Sequence, residues 1–129
     1  MARDTQALTR ERLHDLFAAL DAREHELRDL IAQRRSALET QGLASDVAGD
    51  EADRAFGRVR DTIENDLLDL HLAELARIEA ARARAAEGHY GLCADCGDAI
   101  PLGRLQANPT ALRCAGCQGR REKLFAAAS

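Results

Sequence analysis

Residues 42–57 read GLASDVAGDEADRAFG, and the reading of this stretch decides the fold. Proline-free, helix-forming sequence of similar length lies on both sides of it. Gly42 and Gly49 mark places where a chain can turn. Asp46, Asp50, Glu51 and Asp53 stand against a single base, Arg54. Unpaired carboxylates are too costly to bury, so four acids this close do not belong to a core. The stretch reads as the tip of a long helical hairpin, with clustered carboxylates at its far end.

Towards the N-terminus, Thr5 is the expected N-cap of a first helix, and no proline or glycine follows until after Gln41. Leu13, Leu20 and Leu27 recur every seven residues, with Leu16 and Leu30 in a parallel row and Phe17, Ile31 and Leu38 in another. This is one apolar face of a continuous helix roughly 55 Å long. Gly42 is the expected C′ residue. Towards the C-terminus, a second helix is expected from Asp50 or Glu51, where first-turn acids suit the helix dipole. Phe56, Ile63 and Leu70 repeat at seven, as do Leu68 and Leu75, and Val59, Leu67 and Ile78 widen the stripe. The pattern runs to Glu87, and Gly88 stops it. Two helices of matching length joined by a short turn bury their stripes as an antiparallel coiled coil. No third long helix is present to complete an ordinary bundle. Gly57, one turn inside the second helix, costs about 1 kcal/mol relative to alanine; it either loosens the tip or permits the close approach of a partner. Residues 79–86, EAARARAA, are small enough for close helix approach.

The 129 residues carry a net charge of −4, so there is no overall electrostatic case for nucleic-acid binding. Only 3% are aromatic, which points to a narrow Leu/Ile/Ala seam as the core. No apolar run reaches the ~20 residues that cross a bilayer, and the N-terminal residues lack the apolar segment of a signal peptide. A soluble, cytoplasmic protein is expected. In that setting four cysteines in two CxxC pairs point to metal rather than to disulfides.

Residues 89–117 read HYGLCADCGDAIPLGRLQANPTALRCAGC and hold both prolines, Pro101 and Pro109. Cys93 and Cys96 form one pair, Cys114 and Cys117 the other, with seventeen residues between them. Each CxxC turn sets two thiolates on one side of a tight loop, and two such loops complete a tetrahedron suited to Zn2+. Paired redox cysteines do not come as two pairs at this spacing. Four thiolates leave no open position for water, so the zinc is structural and no catalytic residue is expected. His89 reads as a surface or packing residue. Ile100, Leu105 and Leu112 are the expected small core that the metal staples. Residues 118–124, QGRREKL, read as a short basic helix packed on this ribbon, ending either as a solvated tail or as an anion contact. The expected architecture is mainly α: residues 1–87 form the antiparallel coiled-coil hairpin with its acidic tip at 42–57. Residues 88–129 form a C4 zinc ribbon with a C-terminal helix.

Taken together, the chain resembles the DksA/TraR family of bacterial RNA polymerase-binding transcription factors. The ribbon signature is matched by Tyr90, Gly91, Cys93, Cys96, Gly97, Ile100, Arg104, Leu105, Ala107, Pro109, Cys114 and Cys117. The tip motif Asp-x-x-Asp-x-Ala is met by Asp50, Asp53 and Ala55, at a distance from the ribbon like that of the long members. The resemblance implies a monomer that binds RNA polymerase without sequence-specific DNA contacts. Its coiled coil enters the secondary channel and its tip works near the catalytic magnesium. The implied effect is destabilised open complexes, ribosomal RNA promoters included, commonly strengthened by guanosine tetraphosphate (ppGpp). At the positions comparable to the family's ppGpp site, Leu70, Arg77, Asn108 and Gln118, only Arg77 is cationic, with Arg120 and Arg121 as substitutes. That departure argues against a strong ppGpp response. Two other readings compete: a Gre-like stimulator of transcript cleavage, and a zinc-ribbon DNA-binding protein.

Overall fold

The computed structural model describes residues 8–47 and 51–128, with the side chains of 41–47 and 128 outside that description. Four helices follow in order: α1 (Arg10–Val47), α2 (Glu51–Ala86), α3 (Leu102–Ala107) and α4 (Ala115–Ala128). Helix α1 starts later than expected. Thr9, not Thr5, is its cap: the Thr9 Oγ1 accepts the Arg12 N–H at 3.1 Å. Thr5 itself lies outside the described residues. The helix also ends later, running through Gly42 to Val47. One interior glycine costs about 1 kcal/mol, too little to stop a helix that Leu43 and Ala44 continue. Helix α2 is described from Glu51, one of the two expected starts; the other, Asp50, lies outside the described residues. It stops at Gly88, whose φ of 79° lets the His89 N–H reach the Arg84 carbonyl (2.8 Å) and the Gly88 N–H reach that of Ala85 (3.0 Å). This is a Schellman ending with glycine at C′.

The chain divides into two compact units, and each long helix contributes a segment to both. The first comprises Met1–Ala22 and Arg77–Ser129. In it Leu16 and Leu20 of α1 and Ile78 and Ala81 of α2 are buried; within residues 79–86 Ala81 is buried and Glu79, Ala80, Ala83 and Ala86 are exposed. Asp21 of α1 pairs with Arg82 of α2. Leu16 also joins Cys93, Ile100, Leu105 and Cys117 in one apolar cluster, with Leu8, Tyr90 and Leu102 packed against it. The ribbon is therefore built on α1 as well as on metal. Leu112 is half-buried outside this cluster, contrary to expectation. Its contribution is a carbonyl that accepts the Ala94 N–H at 2.8 Å.

The second unit, Arg23–Ala76, is an antiparallel pairing of α1 with α2. Arg23 binds Glu74 (Nη2 to Oε1, 2.8 Å) and Arg34 binds Glu64 (Nη1 to Oε2, 3.0 Å), so partners move down α2 as they move up α1. The Glu74 hydrogen bond raises the Arg23 pKa above its ordinary value. On α1 the expected apolar rows face inward: Leu27 and Ile31 are buried and Leu30 and Leu38 half-buried. On α2 the expectation fails in part. Phe56, Val59, Ile63 and Leu70 are 53–72% exposed. The row that turns inward begins one residue later: Gly57 is buried and Glu64 and His71 half-buried, flanked by half-buried Leu67, Leu68 and Leu75. Towards the ribbon the inward side continues to buried Ile78, and Glu64 and Glu74 on this side reach Arg34 and Arg23. Among the described residues no helix is long and apolar enough to cross a membrane.

Candidate metal centre

The two CxxC loops are tied by backbone bonds. In the first, an isolated antiparallel bridge pairs Leu92 with Ala99. The Cys93 N–H donates to the Asp98 carbonyl (2.7 Å), the Gly97 N–H to that of Cys93 (3.0 Å) and the Ile100 N–H to that of Gly91 (2.7 Å). The second loop is the start of α4. The Gln118 N–H donates to the Cys114 carbonyl (2.9 Å), and the Cys117 N–H points at Cys114 Sγ (3.5 Å). That sulfur stands where a serine oxygen stands in an ordinary N-cap.

Arginines brace the ribbon. Arg84 donates to the Leu92 carbonyl (2.9 Å) and Arg104 to that of Arg113 (2.8 Å), while Arg113 pairs with Asp95 (3.0 Å). Tyr90 packs against Phe17 with the rings tilted by 43°, centroids 5.0 Å apart, and donates its hydroxyl to the Pro109 carbonyl at 2.8 Å. Burial pushes the Tyr90 pKa up to about 12.

The four Sγ atoms lie within 4.8 Å of one another, and those of Cys96 and Cys114 are 3.9 Å apart. A tetrahedron with Zn–S bonds of about 2.3 Å has edges near 3.8 Å, so the donor set fits one Zn2+. Cys93 and Cys117 are buried and Cys96 is exposed. The thiols differ electrostatically. The Cys96 backbone N–H is the main cause that draws Cys93 down to about 6. At Cys96 the Asp98 N–H acts downwards, but the hydrogen bond to Cys93, burial and the other sulfurs outweigh it and push this thiol up to about 12. Binding of a cation displaces the thiol protons. His89 stays outside the cluster, exposed beside Glu87.

One contact was not expected from sequence: Arg120 Nη2 donates to Cys117 Sγ at 3.1 Å. The signal for it was an arginine three residues after a ligand, within one helix. Such outer-shell donors typically govern metal affinity by 10–100-fold. Arg120→Met is expected to speed zinc transfer to a chelator by roughly tenfold. Arg121→Met, on the same helix but placed over the Phe125 ring, should leave that rate unchanged.

Gly91 supplies a second local test. Its φ is 83°, and a Cβ added there would lie 2.5 Å from Leu8 Cδ1. Gly91→Ala is expected to destabilise the ribbon by about 1–2 kcal/mol through the left-handed backbone alone, and further through Leu8. Gly97 has a similar φ of 78° with nothing within 4 Å, so Gly97→Ala isolates the backbone part. Tyr90 is the only tyrosine and the chain has no tryptophan, so denaturant unfolding followed by Tyr90 fluorescence reads the ribbon directly.

The other candidate residues lie away from the metal. Asp50 is outside the described residues. Asp53 and Ala55 are exposed in the first turns of α2, and Arg77, Arg120 and Arg121 are exposed as well.

Comparison with known proteins agrees with this geometry. Residues 88–123 match the prokaryotic dksA/traR C4-type zinc finger. The RNA polymerase-binding transcription factor DksA of Caulobacter vibrioides is 31% identical over 98 residues, which cover 76% of this chain. The chain spans 64% of the length of that curated relative. A protein of Aquifex aeolicus is 38% identical over 53 residues, covering 41% of this chain and 37% of the relative. The structure of transcription factor DksA2 from Pseudomonas aeruginosa superposes with a TM-score of 0.77 at 28% identity, covering 90% of this chain and 87% of that one. The likeness thus continues from the finger along the helices that precede it: residues 88–123 carry a dksA/traR-type C4 zinc finger, and the chain is DksA-like in sequence and fold.

Proposed function

We propose that this protein is a cytoplasmic transcription regulator that binds RNA polymerase directly and acts as a monomer. The tip of its helical hairpin enters the secondary channel and alters open-complex stability, at ribosomal RNA promoters among others. One observation carries this reading: the likeness to an RNA polymerase-binding factor extends over 98 residues, well past the zinc finger. The zinc ribbon serves as the base, and Asp50, Asp53 and Ala55 are the acting residues. Carboxylates near a cation or basic groups interact strongly in a confined, low-dielectric space.

For ppGpp the available cations are Arg77, Arg120 and Arg121. Arg120 is already given to Cys117 Sγ, so recognition of the phosphates rests on Arg77 and Arg121, and a weak response is expected. The test is in vitro transcription from a ribosomal RNA promoter, with and without the protein and ppGpp. Shorter-lived open complexes with little added effect of ppGpp agree with the proposal. Unchanged complexes, or shortening of the transcript in a backtracked complex, overturn it; the latter is the signature of Gre-like cleavage stimulation.

A further inference from the structure

The outward face of α2 holds Phe56, Ile63 and Leu70 at seven-residue spacing, with Val59 between the first two, all more than half exposed. Directly beside it, the inward row spends its places on Gly57, Glu64 and His71. The exchange is unfavourable for an isolated helix pair. Asp61 Oδ1 and His71 Nδ1 are buried without a hydrogen-bond partner, while larger apolar side chains stay in water. The inward side also holds Leu68, Leu75 and Ile78 and the Arg34–Glu64 and Arg23–Glu74 pairs, so α2 meets α1 through a mixed seam that leaves this stripe outside. A face kept apolar in this way reads as a contact surface.

We infer that this stripe is an apolar anchor that docks on an apolar surface of RNA polymerase, alongside the acidic tip; the inference rests on the function proposed above. Two observations select this occupant. The stripe is four side chains, far short of the roughly 20–30 residues a side that a stable dimer of two copies needs. It also begins at Phe56, the residue after Ala55, so whatever receives the tip must meet Phe56 in the same step. The stripe supplies affinity, and the carboxylates supply the effect.

The test is the full-length variant Ile63→Ser/Leu70→Ser, which leaves the tip motif intact and changes only exposed side chains. Sedimentation and competition binding to RNA polymerase are measured for both proteins. The expected result is a wild-type monomer that binds polymerase, and a folded variant that binds at least tenfold more weakly. Equal binding by a folded variant overturns the anchor while leaving the proposed function standing. A wild-type dimer that the variant converts to monomer assigns the stripe to a second copy and also overturns it. Failure of the wild type itself to bind polymerase removes the functional reading on which the anchor rests.

Discussion

Cys114→Ser is expected to release zinc and to unfold the ribbon while α1 and α2 remain largely helical. Serine offers a hard, protonated hydroxyl where zinc takes a thiolate. The substitution is a clean probe because of where Cys114 sits. Its carbonyl and its sulfur both receive N–H groups from the first turn of α4. Serine is a favourable N-cap, so it preserves the start of α4 and removes only the metal bond. Structural zinc contributes about 10–16 kcal/mol to the folding of small domains, and segments below about 40 residues seldom fold without such a staple. Losing one ligand of four therefore outweighs what the cluster of Ile100 and Leu105 supplies. The readouts are zinc content, Tyr90 fluorescence and far-ultraviolet circular dichroism. One retained zinc per chain with an unchanged Tyr90 signal would refute the four-sulfur site. Acidification acts in the same direction, since protons compete with the metal for each sulfur.

The parts of this molecule that were legible in the sequence are those whose signal is local. The CxxC spacing fixes the ligand set because two residues between cysteines dictate one loop. Helix α1 was legible along its length because its three apolar rows all lie on one face. Helix α2 carries two seven-residue rows one position apart, 56/63/70 and 57/64/71. Apolarity alone favours the first, yet the second turns inward. What the second row meets comes from α1, where Arg23 and Arg34 lie 51 and 30 residues away from Glu74 and Glu64. No local pattern carries that information. The same holds for the ribbon core, where Leu8 and Leu16 arrive from the other end of the chain. Gly42 misled for the opposite reason: a local stop signal worth about 1 kcal/mol loses to the helix formers around it.

Asp53→Asn is expected to leave polymerase affinity within about threefold of wild type while reducing the effect on open complexes by at least tenfold. Asparagine matches aspartate in size and keeps one oxygen as acceptor, while the negative charge is lost and the second oxygen becomes an NH2 donor. Asp53 is exposed in the first turn of α2, where an acid stabilises the helix by roughly 0.3–1 kcal/mol. Glu51 remains in that turn, so the fold survives the change. At 4 Å from a unit charge, a carboxylate contributes about 1 kcal/mol in water and about 4 kcal/mol at an effective dielectric of 20. On the proposed function, the tip acid therefore matters little in free solution and much inside a confined channel. On the inferred anchor, affinity is by contrast supplied by contact area along α2. Stripe and tip should separate in opposite senses: Ile63→Ser/Leu70→Ser loses binding and recovers effect at high concentration, whereas Asp53→Asn binds and stays inactive at saturation. Competition binding and open-complex lifetimes, measured on the same preparations, give both quantities. If Asp53→Asn loses binding and effect in equal measure, the acid is an anchor and the division of labour along α2 is wrong.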